Sequence, residues 1–249
     1  MLDADLIGAA LILTLGVTLQ TAVGFGLGLL CIPMLVWSGW ALPQAVAILI
    51  GAGFVQTGLG TFTVRREIRW SFMLPLALAL CVGIPIGQYA MGLIVDAGQA
   101  IVKQAVGGML LAVLVARAIY QPAPRDAVAR GWGYFACGLG GVLGGLVGMG
   151  GPPLVLFALA HTWNKDQYRA FIWPIFFLTT PVLVAGLALR FDTGVLIEFA
   201  KGVAMAPCVW LGSRAGMAIS QQWEMKQLQL GASILLYGIA ISSIVGPLL

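Results

Sequence analysis

Two glycine-rich stretches are the parts of this chain best suited to holding a ligand. One is Gly24-Phe25-Gly26-Leu27-Gly28, followed by Pro33; the other is Gly148-Met149-Gly150-Gly151-Pro152-Pro153. Both lie inside apolar runs, and both are built from residues that interrupt helices. Where a helix restarts after such a break, its first backbone N–H groups lack intrahelical acceptors and carry the positive end of the helix dipole. Glycine lets a ligand approach that backbone closely, and Pro152 and Pro153 are tolerated in a first helical turn. Two such starts facing one small volume would bind an anion with little or no fixed side-chain charge. The competing explanation is close helix packing through small residues. Gly together with Pro interrupts a helix rather than packing it, which favours a binding site at Gly24, Phe25, Gly26, Gly28, Gly148, Met149, Gly150 and Gly151.

Polar side chains inside apolar runs are the next candidates, because hydrocarbon penalises them. Gln20 and Thr21 precede the first break by about one helical turn. Gln56 and Thr57 lie in the following run, Thr179 and Thr180 in a later one, and Gln88 beside Tyr89 in a third. All can donate hydrogen bonds to an oxyanion. Ser and Thr hydroxyls can also bond their own helix, which leaves both roles open for Thr179 and Thr180. Arg214 is read either as an anchor at a span end or as a gate that draws anions in, and Trp173, before Pro174, as path lining or aromatic filler. Glu198 and Lys201, spaced i, i+3, are expected to pair with each other, and Lys103 and Arg117 to snorkel from helix ends.

Other chemistries find little support. Cys31, Cys81, Cys137 and Cys208 all lie in apolar segments without a CxxC, and are read as packing residues. A single histidine, His161, cannot by itself build a metal or haem site. No Ser-His-Asp set or paired carboxylates occur, and the glycine stretches lack the Lys-Ser/Thr ending of a nucleotide loop. No catalytic residue, metal or cofactor is therefore expected.

The elements that position these residues follow from composition. The chain has 249 residues, 60% hydrophobic and 9% charged, and its mean hydropathy is +1.00. A soluble protein of this size needs far more charge on its surface. Apolar runs long enough to span a bilayer recur throughout, so an all-α, multi-pass protein of the cell inner membrane is expected, with lipid bilayer as its surroundings and homo-oligomers admitted. The net charge of +4 comes from short loops between runs and reads as topology signalling rather than nucleic-acid binding. The start, Met1-Leu2-Asp3-Ala4-Asp5, has no basic region or cleavage site, so no removable leader is expected.

The runs cover 5–40 (broken at 24–28), 42–64, 70–92 and 99–119, then 132–161 (broken), 168–189, 194–218 and 228–248. A polar connector at 121–130 divides a first repeat, 1–120, from a second, 131–249. Gly24-Phe25-Gly26 aligns with Gly148-Met149-Gly150, and Ile86-Gly87-Gln88-Tyr89 with Leu211-Gly212-Ser213-Arg214, at nearly the same offset. If each broken run is an ordinary span, 8 of the 13 basic residues fall on one side. If each is a hairpin that enters and returns on the same side, the halves are inverted and ten gather there: Arg65, Arg66, Arg69, Arg117, Arg125, Arg130, Lys165, Arg169, Arg214 and Lys226. The second arrangement obeys the positive-inside tendency better. Two inverted repeats, each a re-entrant hairpin plus three spans, are therefore expected.

Duplicated Gly-rich breaks with a nearby proline in a membrane protein of this length resemble the sulfite exporter TauE/SafE family. The resemblance rests on Gly24, Gly26, Gly28 and Pro33, on Gly148, Gly150, Gly151 and Pro153, and on the small-residue steps around Gly87 and Gly212. It implies transport of sulfite, sulfoacetate or related sulfur-containing or organic anions. The residues then suggest alternating access around opposed hairpin tips. Rival expectations are a thiol–disulfide carrier using Cys31 and Cys208, and a passive anion channel.

Overall fold

The apolar runs fold as helices. The computed structural model describes residues 2–23, 26–120, 124–126, 128–223 and 225–246, and every regular element among them is helical. In chain order these are α1 (Leu2–Val23), α2 (Leu27–Trp37), α3 (Leu42–Thr63), α4 (Trp70–Asp96), α5 (Gln99–Ile119), α6 (Arg130–Val147), α7 (Gly151–Leu159), α8 (Lys165–Arg190), α9 (Gly194–Ala204), α10 (Ala206–Gln222) and α11 (Met225–Val245). Six of the described helices are long and apolar enough to cross a membrane, or seven if the bent pair α9–α10 is one span. The chain is a multi-pass membrane protein.

Both glycine stretches break the helix that contains them. Gly26 (φ 121°) and Gly148 (φ 70°) adopt backbone conformations that side chains disfavour, which ends one arm and turns the chain into the next. The returning arms, α2 and α7, have 11 and 9 residues, about 16 and 14 Å at 1.5 Å per residue. Each covers roughly half of a ~30 Å hydrocarbon core. Both fold back on the arm before them. The Cys31 thiol on α2 donates to the Ile12 carbonyl of α1 at 3.4 Å. In the second pair, the chain entering α6 meets the chain leaving α7. The Arg125 N–H donates to the Ala160 carbonyl at 2.9 Å and the Thr162 N–H to the Arg125 carbonyl at 3.2 Å. The Thr162 hydroxyl adds a 2.8 Å bond to Asp126. The α6–α7 pair therefore enters and leaves on one face of the molecule.

That face is held by an aromatic cluster. Phe72, at the start of α4, packs edge-on against His161 and Trp163, and His161 stacks on Trp163 with centroids 4.0 Å apart. His161 Nδ1 lies 3.0 Å from the Phe157 carbonyl. Burial lowers the pKa of this histidine, against a smaller opposing effect of that bond. The buried cluster around it gathers Val64, Ile68, Val128 and the start of α8 at one end. An Asn164–Gln167 capping box fixes where α8 begins: Asn164 Oδ1 accepts from the backbone N–H of Asp166 and Gln167 at 3.0 and 2.8 Å.

Packing crosses between the halves. Gly83 and Gly87 of α4 sit against Gly138 and Val142 of α6, and Gly141 and Gly145 of α6 against Leu80 and Ile84 of α4. Two small-xxx-small steps thus face each other and bring the backbones together. Gly212 and Gly216 of α10 do the same against Thr14 and Thr18 of α1. The helices α3 and α8 cross at the centre, where Phe54 stacks on Phe177 at 4.9 Å and Trp173 covers Gly60. The helices α5 and α11 pack on each other outside this core.

The 194–218 run differs from its expected single stretch. It is bent by 48° between α9 and α10, because Pro207 has no N–H to continue the ladder and its ring would clash with the carbonyl one turn back. Glu198 and Lys201 pair at 2.7 Å, as their spacing suggests. Cys31 and Cys137 are buried, Cys81 and Cys208 half-buried, and all four are free thiols.

The α4–α6 crossing yields a direct test. A Val at Gly141 would drive its side chain into the Leu80 carbonyl, whereas nothing lies within 4 Å of a Cβ at Gly108. Thermal unfolding in detergent should show Gly141→Val destabilised by about 1–3 kcal/mol or more, with Gly108→Ala within ~0.5 kcal/mol of wild type.

Candidate functional site

The two hairpin tips meet. A Cβ built on Gly28, in the first turn of α2, would lie 2.7 Å from the Gly148 carbonyl oxygen, and Gly148 itself packs on Ile32 and Val46. Gly150 is equally constrained from its own hairpin, since a Cβ there would come within 2.6 Å of the Gly140 carbonyl. Beside this contact is a cavity of about 310 Å³. Its walls come from both breaks, from α3 and α8, and from smaller parts of α1, α4, α6 and α7.

Most of the residues singled out in the sequence reach that cavity. Gln20, Thr21, Gly26, Gly28, Gln56, Gly148, Met149, Gly150, Gly151, Trp173, Thr179 and Thr180 all line it. Gly24 and Phe25 lie outside the described residues. Two residues are placed elsewhere. Gln88 is 3% exposed, and its amide is spent on the Leu183 carbonyl at 2.7 Å, holding α4 to α8 rather than facing the cavity. Arg214 is on the exposed side of α10, with its guanidinium over the Trp210 ring at 5.2 Å. It does not line this cavity.

The donors differ from those expected. Thr57, Thr179 and Thr180 give their hydroxyl protons to the Gly53, Ile175 and Phe176 carbonyls of their own helices, at 2.7, 2.8 and 2.8 Å. In this geometry they offer the cavity lone pairs, not protons. The two helix starts are also unequal. In α2 the amides of Leu27, Gly28 and Leu29 come before the first intrahelical bond, from Leu30 N–H to the Gly26 carbonyl at 2.9 Å. In α7, Gly151 is followed by Pro152 and Pro153, which have no N–H, so of its first three helical residues only Gly151 presents an amide, against three in α2. Gln56 adds a side-chain amide. Its Oε1 is buried without a hydrogen-bond partner, and rotating the amide by half a turn would place an N–H₂ donor there.

A cation completes the lining. Arg169 and Tyr168, in the first turns of α8, both border the cavity. The half-exposed Arg169 is 3.7 Å from Asp166 and sits over the Trp173 ring at 5.5 Å. Sequence reading treated Arg169 only as a loop charge. Its helical spacing was the available signal, because Arg169, Trp173, Phe176 and Thr180 recur at intervals of four, three and four along one face of α8. No group of three or more His, Cys, Asp or Glu that could hold a metal occurs among the described residues, and no cysteine lines the cavity.

A family model described as Sulfite exporter TauE/SafE matches residues 8–243. The chain belongs to this family. A relative in Cupriavidus necator, named a probable sulfite/organosulfonate exporter TauE, is 22% identical over 202 residues, covering 80% of this chain and 78% of the relative. No solved structure gives a significant match. The chain is accordingly a membrane transporter and not an enzyme.

Within this TauE/SafE member, Gly151 allows a test that leaves packing alone. Nothing lies within 4 Å of a Cβ at Gly151, yet the residue lines the cavity. Gly151→Val should keep the wild-type melting temperature and weaken anion binding at least about tenfold, the effect of losing ~1.4 kcal/mol, as read by calorimetric titration. Arg169→Gln should also bind more weakly, and its salt dependence should flatten, since a fixed charge facing solvent is screened by ions.

Proposed function

We propose that this protein exports a small sulfur oxyanion, sulfite or an organosulfonate, across the cell inner membrane by alternating access. The observation that carries this reading is the meeting of the two glycine breaks at one cavity. The first residues of α2 and α7 line that cavity together with Gln56 and Arg169. Such a cradle suits a tetrahedral or pyramidal oxyanion, because several N–H groups can each take one oxygen without a buried side-chain charge. The printed name of the Cupriavidus necator relative supports the sulfur chemistry.

The helix pairings support two repeats, 1–120 and 131–249, joined by the connector at 121–130, and the positive-inside tendency favours their being inverted. The pair α4–α6 has its counterpart in α10–α1, and α4–α8 in α9–α3, while α3–α8 and α5–α11 each pair a helix with its own equivalent. Exchanging the halves maps this list onto itself. Arg65, Arg66, Arg69, Arg125, Arg130, Lys165 and Arg169 belong to the end gathered by the aromatic cluster, which the positive-inside tendency assigns to the cytoplasm. The cavity extends to Arg169 at that end, the access an export substrate requires. Rocking of one repeat against the other would then expose the tips to the opposite side.

Reconstituted liposomes provide the test. Flux of sulfite and of simple sulfonates should saturate with concentration and exceed flux of sulfate and acetate. It should accelerate when the substrate side is made electrically negative, since a monoanion gains about 2.3 kcal/mol per 100 mV. Flux linear in concentration would instead identify a channel, and absence of flux for every sulfur oxyanion would remove the proposed substrate class.

A further inference from the structure

We infer that the preferred cargo is a sulfonate with an uncharged apolar tail of several carbons or a ring, rather than inorganic sulfite. This rests on the reading of the glycine tips as the oxyanion site. A cavity of about 310 Å³ corresponds to roughly ten waters at ~30 Å³ each. A bare sulfite, with four heavy atoms, would occupy only a small part of it.

Beyond Gln20, Thr21, Gln56 and Arg169, most of the remaining wall is apolar. Between Arg169 and Thr180, eleven residues or about 16 Å along α8, the residues facing the cavity are Ile172, Trp173, Phe176 and Thr179. Leu49 and Ile50 of α3 and Leu80 and Ile84 of α4 face it from other sides. The hydroxyls of Thr57, Thr179 and Thr180 are turned onto their own helices, so they give no donors to a second anionic group. A head held at the amides therefore leaves its substituent against aliphatic and aromatic carbon, where burying each methylene is favourable and burying a carboxylate is not.

The experiment is calorimetric titration of the purified protein with sulfite, methanesulfonate, propanesulfonate, pentanesulfonate, benzenesulfonate and sulfoacetate, with pentanol as the uncharged control. Affinity should rise about two- to fourfold per methylene from methane- to pentanesulfonate. Benzenesulfonate should match the longer chains, sulfoacetate should bind more weakly than propanesulfonate, and pentanol should not compete. Gly53 lines the cavity with nothing within 4 Å of a built Cβ, so Gly53→Leu fills the space without a clash. It should erase the chain-length gain while retaining methanesulfonate binding. Sulfite binding with a flat or falling series overturns the apolar-tail assignment and leaves the oxyanion site standing. Failure of all six anions to bind overturns the oxyanion site itself, and competition by pentanol would show that the series reports greasiness alone.

Discussion

The architecture depends on one contact, where the Gly28 backbone rests against the Gly148 carbonyl. Hydrocarbon offers no partner to an unsatisfied N–H or C=O, so a helix can stop at depth only inside protein or beside water. Each broken hairpin would be intolerable alone in lipid. Placed tip to tip, the two cover each other and both line the same cavity. Any side chain at this junction would separate the tips.

The other helices hold that junction in place. The glycine steps at 83/87 and 141/145 bring α4 against the first arm of the second hairpin. Those at 212/216 bring α10 against the first arm of the first hairpin. Each hairpin is thereby clasped by a span of the opposite half. Between them, α3 and α8 cross through aromatic stacking, and the Asn164 capping box sets the register of α8. Register matters because one residue of slip along α8 would turn Trp173, Thr179 and Thr180 away from the cavity by about 100°.

Much of this was legible in the sequence, for physical reasons that differ by element. Spans are legible because bilayer thickness imposes a length and a composition, and the apolar runs correspond closely to the helices. The breaks are legible because Gly and Pro act locally. What local chemistry cannot reveal is direction around a helix in three dimensions. Gln88 is polar and intramembrane, yet it turns to the Leu183 carbonyl rather than to the cavity. Arg214 lies beside a landmark of the internal repeat but on the outer side of α10. Conversely, Arg169 looked like an ordinary loop charge, and only the stripe it shares with Trp173 and Thr180 would have drawn it in. The Thr179 and Thr180 hydroxyls illustrate the same limit, because the choice between helix carbonyl and cavity depends on a single χ1 rotation. The 48° bend at α9–α10 was signalled by Pro207, within a run whose hydropathy concealed it.

The paired prolines after Gly151 have one further effect. With three amides in the first three residues of α2 and one in those of α7, the two starts are unequal. Under the proposed function, an anion bound between the starts would sit nearer to α2 than to α7. In the alternating access proposed above, interchanging the roles of the two halves would then not return the ion to an equivalent position, and the two ends of the stroke would differ in energy. A built-in bias of this kind would let an internally duplicated protein favour one resting posture without any second ion to set it.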